Sequence, residues 1–144
     1  MKKVILFFLL AVVVLSGCSS DDNKAATPVP ALSGSWSLVN VSGSIAGTST
    51  DFPEGTIVWT FNNGNVAVVN NNPADGTAED FFETGTYPYV FTVAEVSTTC
   101  THSLKVSQLD LGCVSQNQET LTIAQVEADG YVLTFKRVME NVIN

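Results

Sequence analysis

Thr56-Ile57-Val58-Trp59-Thr60-Phe61-Asn62-Asn63-Gly64-Asn65-Val66-Ala67-Val68-Val69 is the stretch that decides the fold. Side chains on an extended chain alternate between its two faces, so Ile57, Trp59 and Phe61 share one side and Thr56, Val58 and Thr60 the other. Asn62-Asn63-Gly64-Asn65 then supplies residues that tolerate positive φ, and Val66–Val69 runs back. Alternation, a turn and a returning apolar run predict a β-hairpin. The same period recurs along the chain. Thr86–Val96 places Tyr87, Tyr89, Phe91 and Val93 on one face. Leu104 and Val106 mark another strand within Ser103–Leu109, and Leu121 and Ile123 mark the next. After the turn Glu127-Ala128-Asp129-Gly130, Tyr131, Leu133 and Phe135 alternate with Val132, Thr134 and Lys136. Ser35–Val41 is the first strand, paired with a short one near Ser44–Gly47. No segment beyond the N-terminal apolar run carries a helical period. The expected fold is all-β: an up-and-down antiparallel meander, closed or nearly closed into a barrel of about eight strands. A two-sheet sandwich is the competing architecture.

The N-terminus reads differently. Lys2 and Lys3 precede an uncharged apolar run from Val4 to Leu15, followed by Leu15-Ser16-Gly17-Cys18. A basic start, an apolar middle and small residues before a cut site describe a secretory signal peptide. The run is 12 residues long, against the roughly 20 that a bilayer-spanning helix needs. Leu-Ser-Gly-Cys resembles the lipobox of bacterial lipoproteins. That resemblance implies cleavage before Cys18, a diacylglyceryl thioether on its sulfur, and a further acyl group such as palmitate on its new amine. Each buried CH₂ adds about 0.8 kcal/mol of membrane affinity, so several chains hold the protein on its membrane. Ser19-Ser20-Asp21-Asp22-Asn23 resembles the export tag of surface lipoproteins in Bacteroidota-type bacteria, which implies the outer face of the outer membrane; the periplasmic face is the alternative. Up to Ala31 the chain is small, polar and broken by Pro28 and Pro30, the composition of a flexible tether with a stiff end. The plan is a signal peptide (1–17), an acylated Cys with its linker (18–31), one β-domain (32–140) and a short tail (141–144).

Cleavage removes Lys2 and Lys3 and leaves Lys24, Lys105, Lys136 and Arg137 against all 14 acids. So acidic a chain repels phosphate backbones, which excludes nucleic acid as a partner, and it resists lying flat on anionic lipid. With Cys18 assigned to lipid, Cys100 and Cys113 remain as a candidate disulfide, permitted in the oxidising envelope, or as two buried thiols. A straight Ser103–Leu109 strand would hold its ends about 20 Å apart. Bridged Cα atoms must lie within about 7 Å. Both flanks would then have to fold back.

Leu32-Ser33-Gly34-Ser35-Trp36-Ser37-Leu38 resembles the Gly-x-Trp opening of lipocalin-like domains, whose Trp packs across the closed barrel end against an Arg late in the last strand. Arg137, in Phe135-Lys136-Arg137-Val138, occupies that place here and shares the face of Tyr131, Leu133 and Phe135. Phe61-Asn62-Asn63-Gly64, Thr84-Gly85-Thr86-Tyr87, Glu119-Thr120-Leu121-Thr122-Ile123 and Asp129-Gly130-Tyr131 resemble, in that order, the small lipocalin-like lipoproteins of Bacteroidota-type bacteria. The resemblance covers residues 31–139 and implies a barrel with one open end. Gly34, Trp36 and Arg137 are then structural.

Catalysis finds little to work with. His102 is the only histidine, so a site needing several imidazoles cannot form within one chain. Cys100-Thr101-His102 reads as a loop histidine beside a bridged cysteine, not as a nucleophile with its base. Asp75, Glu79, Asp80 and Glu83, preceded by Asn70, Asn71 and Asn72, lack calcium-loop spacing and read as a solvated loop. No catalytic residue, metal or cofactor is expected. Phe81-Phe82 within that acidic loop reads as a lid on the barrel mouth, a contact surface, or one ring packed inward. Trp59, Phe61, Phe81, Phe82, Tyr87, Tyr89 and Phe91 are the candidate residues for a small apolar ligand, although so many rings would also fill an eight-stranded barrel. The expected function is a membrane-anchored lipocalin-like domain that binds a small hydrophobic molecule. A solid accessory module that docks a protein or glycan through its loops is the alternative.

Overall fold

The computed structural model describes residues 32–73, 79–93, 100–125 and 129–139. The expected signal peptide, Cys18, the expected linker to Ala31, Asp75 and the segment from residue 140 onward lie outside the described residues. Nine strands follow in chain order: β1 (Gly34–Gly43), β2 (Thr48–Asp51), β3 (Ile57–Asn62), β4 (Asn65–Asn70), β5 (Gly85–Val93), β6 (His102–Val106), β7 (Leu109–Gln116), β8 (Thr120–Ala124) and β9 (Tyr131–Arg137). Sequential strands from β3 to β9 pair antiparallel, and β1 pairs with both β3 and β9, so the meander closes on itself. The result is an eight-stranded barrel with β2 as an extra strand. The β1–β9 ladder runs from Trp36↔Arg137 to Gly43↔Tyr131; an open sandwich would lack it.

β2 and β3 share one edge of β1, along Asn40–Gly43 and Gly34–Ser37 respectively. The Pro53-Glu54-Gly55-Thr56 turn between them is closed by Thr56 N–H donating to Pro53 O at 3.1 Å, with Gly55 at φ +84°. The short strand expected near Ser44–Gly47 is therefore Thr48–Asp51, and Ser44–Gly47 is the turn before it, with Ser44 at φ +64°. The β3–β4 hairpin has the two-residue loop Asn63-Gly64, at φ +45° and +77°. Positive φ at both loop positions matches the right-handed twist of the flanking strands.

The straight Ser103–Leu109 strand is not what forms. The chain reverses at Ser107-Gln108, and Val106 pairs with Leu109. That hairpin brings Cys100 and Cys113 to a Cα separation of 5.5 Å, where they form a disulfide. β7 itself breaks alternation. Its ladder skips Leu111, so a bulge turns Leu111 and Val114 inward across Gly112. Gly112 sits at φ +84°, and a Cβ there would lie 2.3 Å from the Ala124 carbonyl oxygen. Only glycine lets β7 approach β8 so closely.

The expected inward face is the core. Ile57, Trp59, Phe61, Leu104, Leu121, Ile123, Leu133 and Phe135 are all essentially inaccessible, joined by Trp36, Leu38, Val66 and Leu111. Tyr87, Tyr89, Phe91 and Tyr131 are half-buried and pack against that core.

Candidate functional site

Connections in a meander alternate between barrel ends, so the chain defines two. One end gathers the start of β1, the Asn63-Gly64 turn, the β5–β6 and β7–β8 connections, and the end of β9. Because Leu32, where the linker arrives, lies here, it is the tether end. The other end, the mouth, gathers the β1–β2 turn, the long β4–β5 loop, Ser107-Gln108 and the segment before β9.

At the mouth the two phenylalanines of the β4–β5 loop turn inward. Phe82 meets Trp59 edge-on at 5.4 Å between centroids and Tyr87 at 4.9 Å. Phe81 meets Tyr131 edge-on at 5.5 Å. Trp59 also packs on Phe135 at 5.1 Å, which continues the ring column into the core. Edge-to-face pairs of this kind add about 0.5–1.5 kcal/mol beyond area burial. Trp59 is fully buried, yet its indole nitrogen has no hydrogen-bond partner among the described residues. One of the rings packed on this tryptophan comes from a loop, the others from β3 and β9.

The loop is held by Asn70, the last residue of β4. Its Nδ2 donates to Asp80 Oδ2 and to the Phe82 carbonyl, both at 2.9 Å, while its Oδ1 accepts from Asn72 N–H. Its backbone N–H donates to Thr84 Oγ1 at 2.9 Å. Tyr87 Oη donates to the Glu83 carbonyl at 3.0 Å. The Asn and Asp residues of this loop are thus a clamp on the phenylalanines. Phe82 N–H also donates to the Asp80 carbonyl at 2.8 Å, closing a tight three-residue turn around Phe81 at φ +62°. A bulky residue is strained in that region, at a cost of order 1–3 kcal/mol. The surrounding contacts hold Phe81 against its own backbone preference.

The seven candidate ligand residues do not form one cluster. Trp59, Phe82 and Tyr87 meet at the mouth, while Phe81 packs on Tyr131. Phe61 and Tyr89 pack on each other at 5.3 Å and join that group through the Trp59–Phe61 contact at 6.2 Å. Phe91 stacks on His102 at the tether end, 5.3 Å apart with planes 3° from parallel. Alternation put Trp59, Phe61, Tyr87, Tyr89 and Phe91 on one face, but it carries no information about depth along the axis, and Phe81 and Phe82 lie on a loop that it does not describe. Tyr131, taken from sequence only as an inward core residue, belongs to the mouth.

The tether end is built from strands. The Arg137 guanidinium lies 4.2 Å from the ring centroid of Trp36, which is fully buried. Arg137 Nε donates to the Gln118 carbonyl at 2.8 Å. Gly34 adopts φ +104°, and a Cβ there would stand 3.2 Å from an Arg137 terminal nitrogen. Outside the barrel wall, Lys136 Nζ contacts Glu54 at 2.6 Å across β1. The hydrogen bond and charge of Glu54 hold the Lys136 pKa above 10.5, its ordinary value. Two half-open cavities flank this end, one of about 660 Å³ over Ser37, Val58, Thr120 and Lys136, the other of about 540 Å³ between Gly34, Thr60 and Arg137. Among the described residues no group of three His, Cys, Asp or Glu is placed to hold a metal ion.

No curated protein and no solved structure matches the chain. Residues 1–19 match the family model described as the prokaryotic membrane lipoprotein lipid attachment site. The chain thus pairs a lipoprotein attachment site, which supports anchoring to a membrane through lipid, with a closed antiparallel β-barrel.

Proposed function

We propose that the protein is a non-enzymatic, lipocalin-like binding module, acylated at Cys18 and displayed on the outer face of the outer membrane, that takes a small apolar molecule at its mouth. The observation that carries this reading is the Phe82 ring over Trp59. A side chain supplied by a strained, hydrogen-bonded loop occupies the position that a ligand ring would take. Withdrawing it would expose Trp59 and Tyr87, and lifting Phe81 with it would expose Tyr131. The unpartnered Trp59 indole N–H suits a ligand that brings one acceptor oxygen with its apolar body. The acidic Ser19–Asn23 segment supports surface display, and proteolysis of intact cells tests it: a fully protected protein overturns that address.

A second reading, an accessory module that docks a protein or glycan through its loops, draws on a different observation. Among the described residues, Trp36, Leu38, Phe61, Leu104, Val106, Leu121, Leu133 and Phe135 are essentially inaccessible, the packing of a filled barrel. One experiment separates the two. The lipidated protein in vesicles is titrated with anilinonaphthalenesulfonate, reading energy transfer from tryptophan. A displaceable plug predicts saturable transfer that tightens several-fold in Phe82→Ala, since the ligand no longer competes with the ring. Absence of saturable transfer in both proteins sinks the ligand reading and leaves the solid module.

A further inference from the structure

The smaller of the two tether-end cavities, unlike the larger one beside it, has no acidic side chain in its lining. It is lined by Ser33, Gly34, Ser35, Thr60, Asn62, Arg137 and Val138, with Phe61 and Met139 at its edges. Of these, only Arg137 is charged, on a chain with 14 acids and 6 cations. Among the described residues no carboxylate lies within ion-pair distance of this guanidinium; the nearby Glu54 is taken by Lys136.

Arg137 is also held in place. Its plane rests on Trp36, Nε is spent on the Gln118 carbonyl, and its backbone N–H donates to the Glu119 carbonyl at 2.8 Å. The two terminal nitrogens remain, a planar pair of donor groups suited to two oxygens of one anion. Fixing the fork in advance removes most of the ordering cost that a free arginine bears on binding. Beside it, Ser35 Oγ and Thr60 Oγ1 share one hydrogen bond at 2.9 Å. Two hydroxyls carry two protons, so the pair keeps one proton free to donate. Gly34, through its missing side chain, keeps the approach to the fork open.

We infer that this cavity is an oxyanion site for a phosphate group, with Arg137 as the bidentate donor and the Ser35–Thr60 pair as the supporting one. It is separate from the mouth and does not rest on the ligand reading above. Phosphate at this position has two sources. Thirteen residues separate Cys18 from Leu32 at this end of the barrel, so acylation at Cys18 would keep the cavity near membrane headgroups. A soluble phosphate compound is the other source.

Calorimetry on the full lipidated chain tests it. Inorganic phosphate is titrated into protein held in dodecyl maltoside, which contains no phosphorus, at constant ionic strength. Saturable binding is expected, weakened tenfold or more in Arg137→Gln and several-fold in Thr60→Val, which leaves the Trp36 stack untouched. The titration is then repeated on protein anchored in phosphatidylglycerol-containing vesicles. Loss of the heat there assigns the site to lipid headgroups, which already occupy it; retention assigns it to a soluble phosphate. No saturable heat in detergent, or full binding by both variants, overturns the site.

Discussion

The two ends of the barrel are closed by different means. At the tether end the closing groups are strand residues: Trp36 on β1 and Arg137 on β9 face each other in the ladder that seals the barrel. At the mouth the closing groups are Phe81 and Phe82, on a loop held by the side chain of Asn70 and by Asp80. To open the first end the barrel itself must break. To open the second, a few hydrogen bonds and two ring contacts must yield. Local opening starts where few apolar contacts and mostly exposed hydrogen bonds hold a segment, so the mouth is the end expected to open first.

The largest effect should come from deleting the tether-end ring. Trp36→Ala removes a completely buried indole and strands Arg137, and should cost about 3–5 kcal/mol in urea unfolding. Phe82→Ala, on a half-exposed ring, should cost about 1–2 kcal/mol. Equal losses would mean that both ends are built into the barrel alike, and the contrast would fail.

Next in size is the disulfide. Cys100 and Cys113 are 13 residues apart in sequence, and closing a loop of that length is worth about 3 kcal/mol in the chain-entropy model. The bridge ties the start of β6 to β7 near the tether end. Reduction should lower the unfolding midpoint and raise amide exchange in β6 and β7 while leaving Asn70–Thr84 unchanged. Faster exchange at the mouth on reduction would show that the two ends are mechanically coupled.

How much of this was legible follows from what sequence encodes. Strict period-two alternation located β3, β5, β8 and β9 and their inward residues, save Val93, which is exposed at the end of β5, because a half-buried strand leaves that period in its side chains. β7 was missed because its bulge at Leu111 and its glycine at 112 break the period. The position of β2 was missed because Thr48–Asp51 is wholly polar and mostly exposed. The odd pair Phe81-Phe82 stood out in an acidic loop. The clamp did not, since Asn70 opens a run of three asparagines that reads as turn filler. The Arg137 cavity needs Ser35, Thr60 and Val138 in register across three chain segments, information held only by the closed barrel.

Phe81 and Phe82 sharpen the contrast within the mouth. Phe81→Gly loses the Tyr131 contact but relieves a left-handed backbone that costs about 1–2 kcal/mol for a side-chain-bearing residue. The two changes nearly cancel, so stability should move by less than about 1 kcal/mol. Phe82→Gly gains no such relief and should lose more than Phe82→Ala does. If Phe81→Gly destabilises as much as Phe82→Gly, the strain at Phe81 is not what makes the plug removable.

The smallest effect belongs to the Lys136–Glu54 pair, which straps the Pro53–Thr56 turn across the outer face of β1. Both side chains are more than half exposed, so salt and solvent screen them. The sign of its pH dependence is fixed even so. Glu54 holds the Lys136 pKa above its unfolded value of 10.5, so the folded state binds that proton more tightly. The contribution is complete below pH 10.5 and fades as pH rises through the folded-state value. Glu54→Gln should therefore differ slightly from the parent chain at pH 8 in low salt, and the difference should vanish in 1 M salt or at strongly alkaline pH. A gap that widened with alkali would show that Glu54 stabilises the turn by some route other than Lys136. The strap would then belong to the loop itself rather than to the closed tether end.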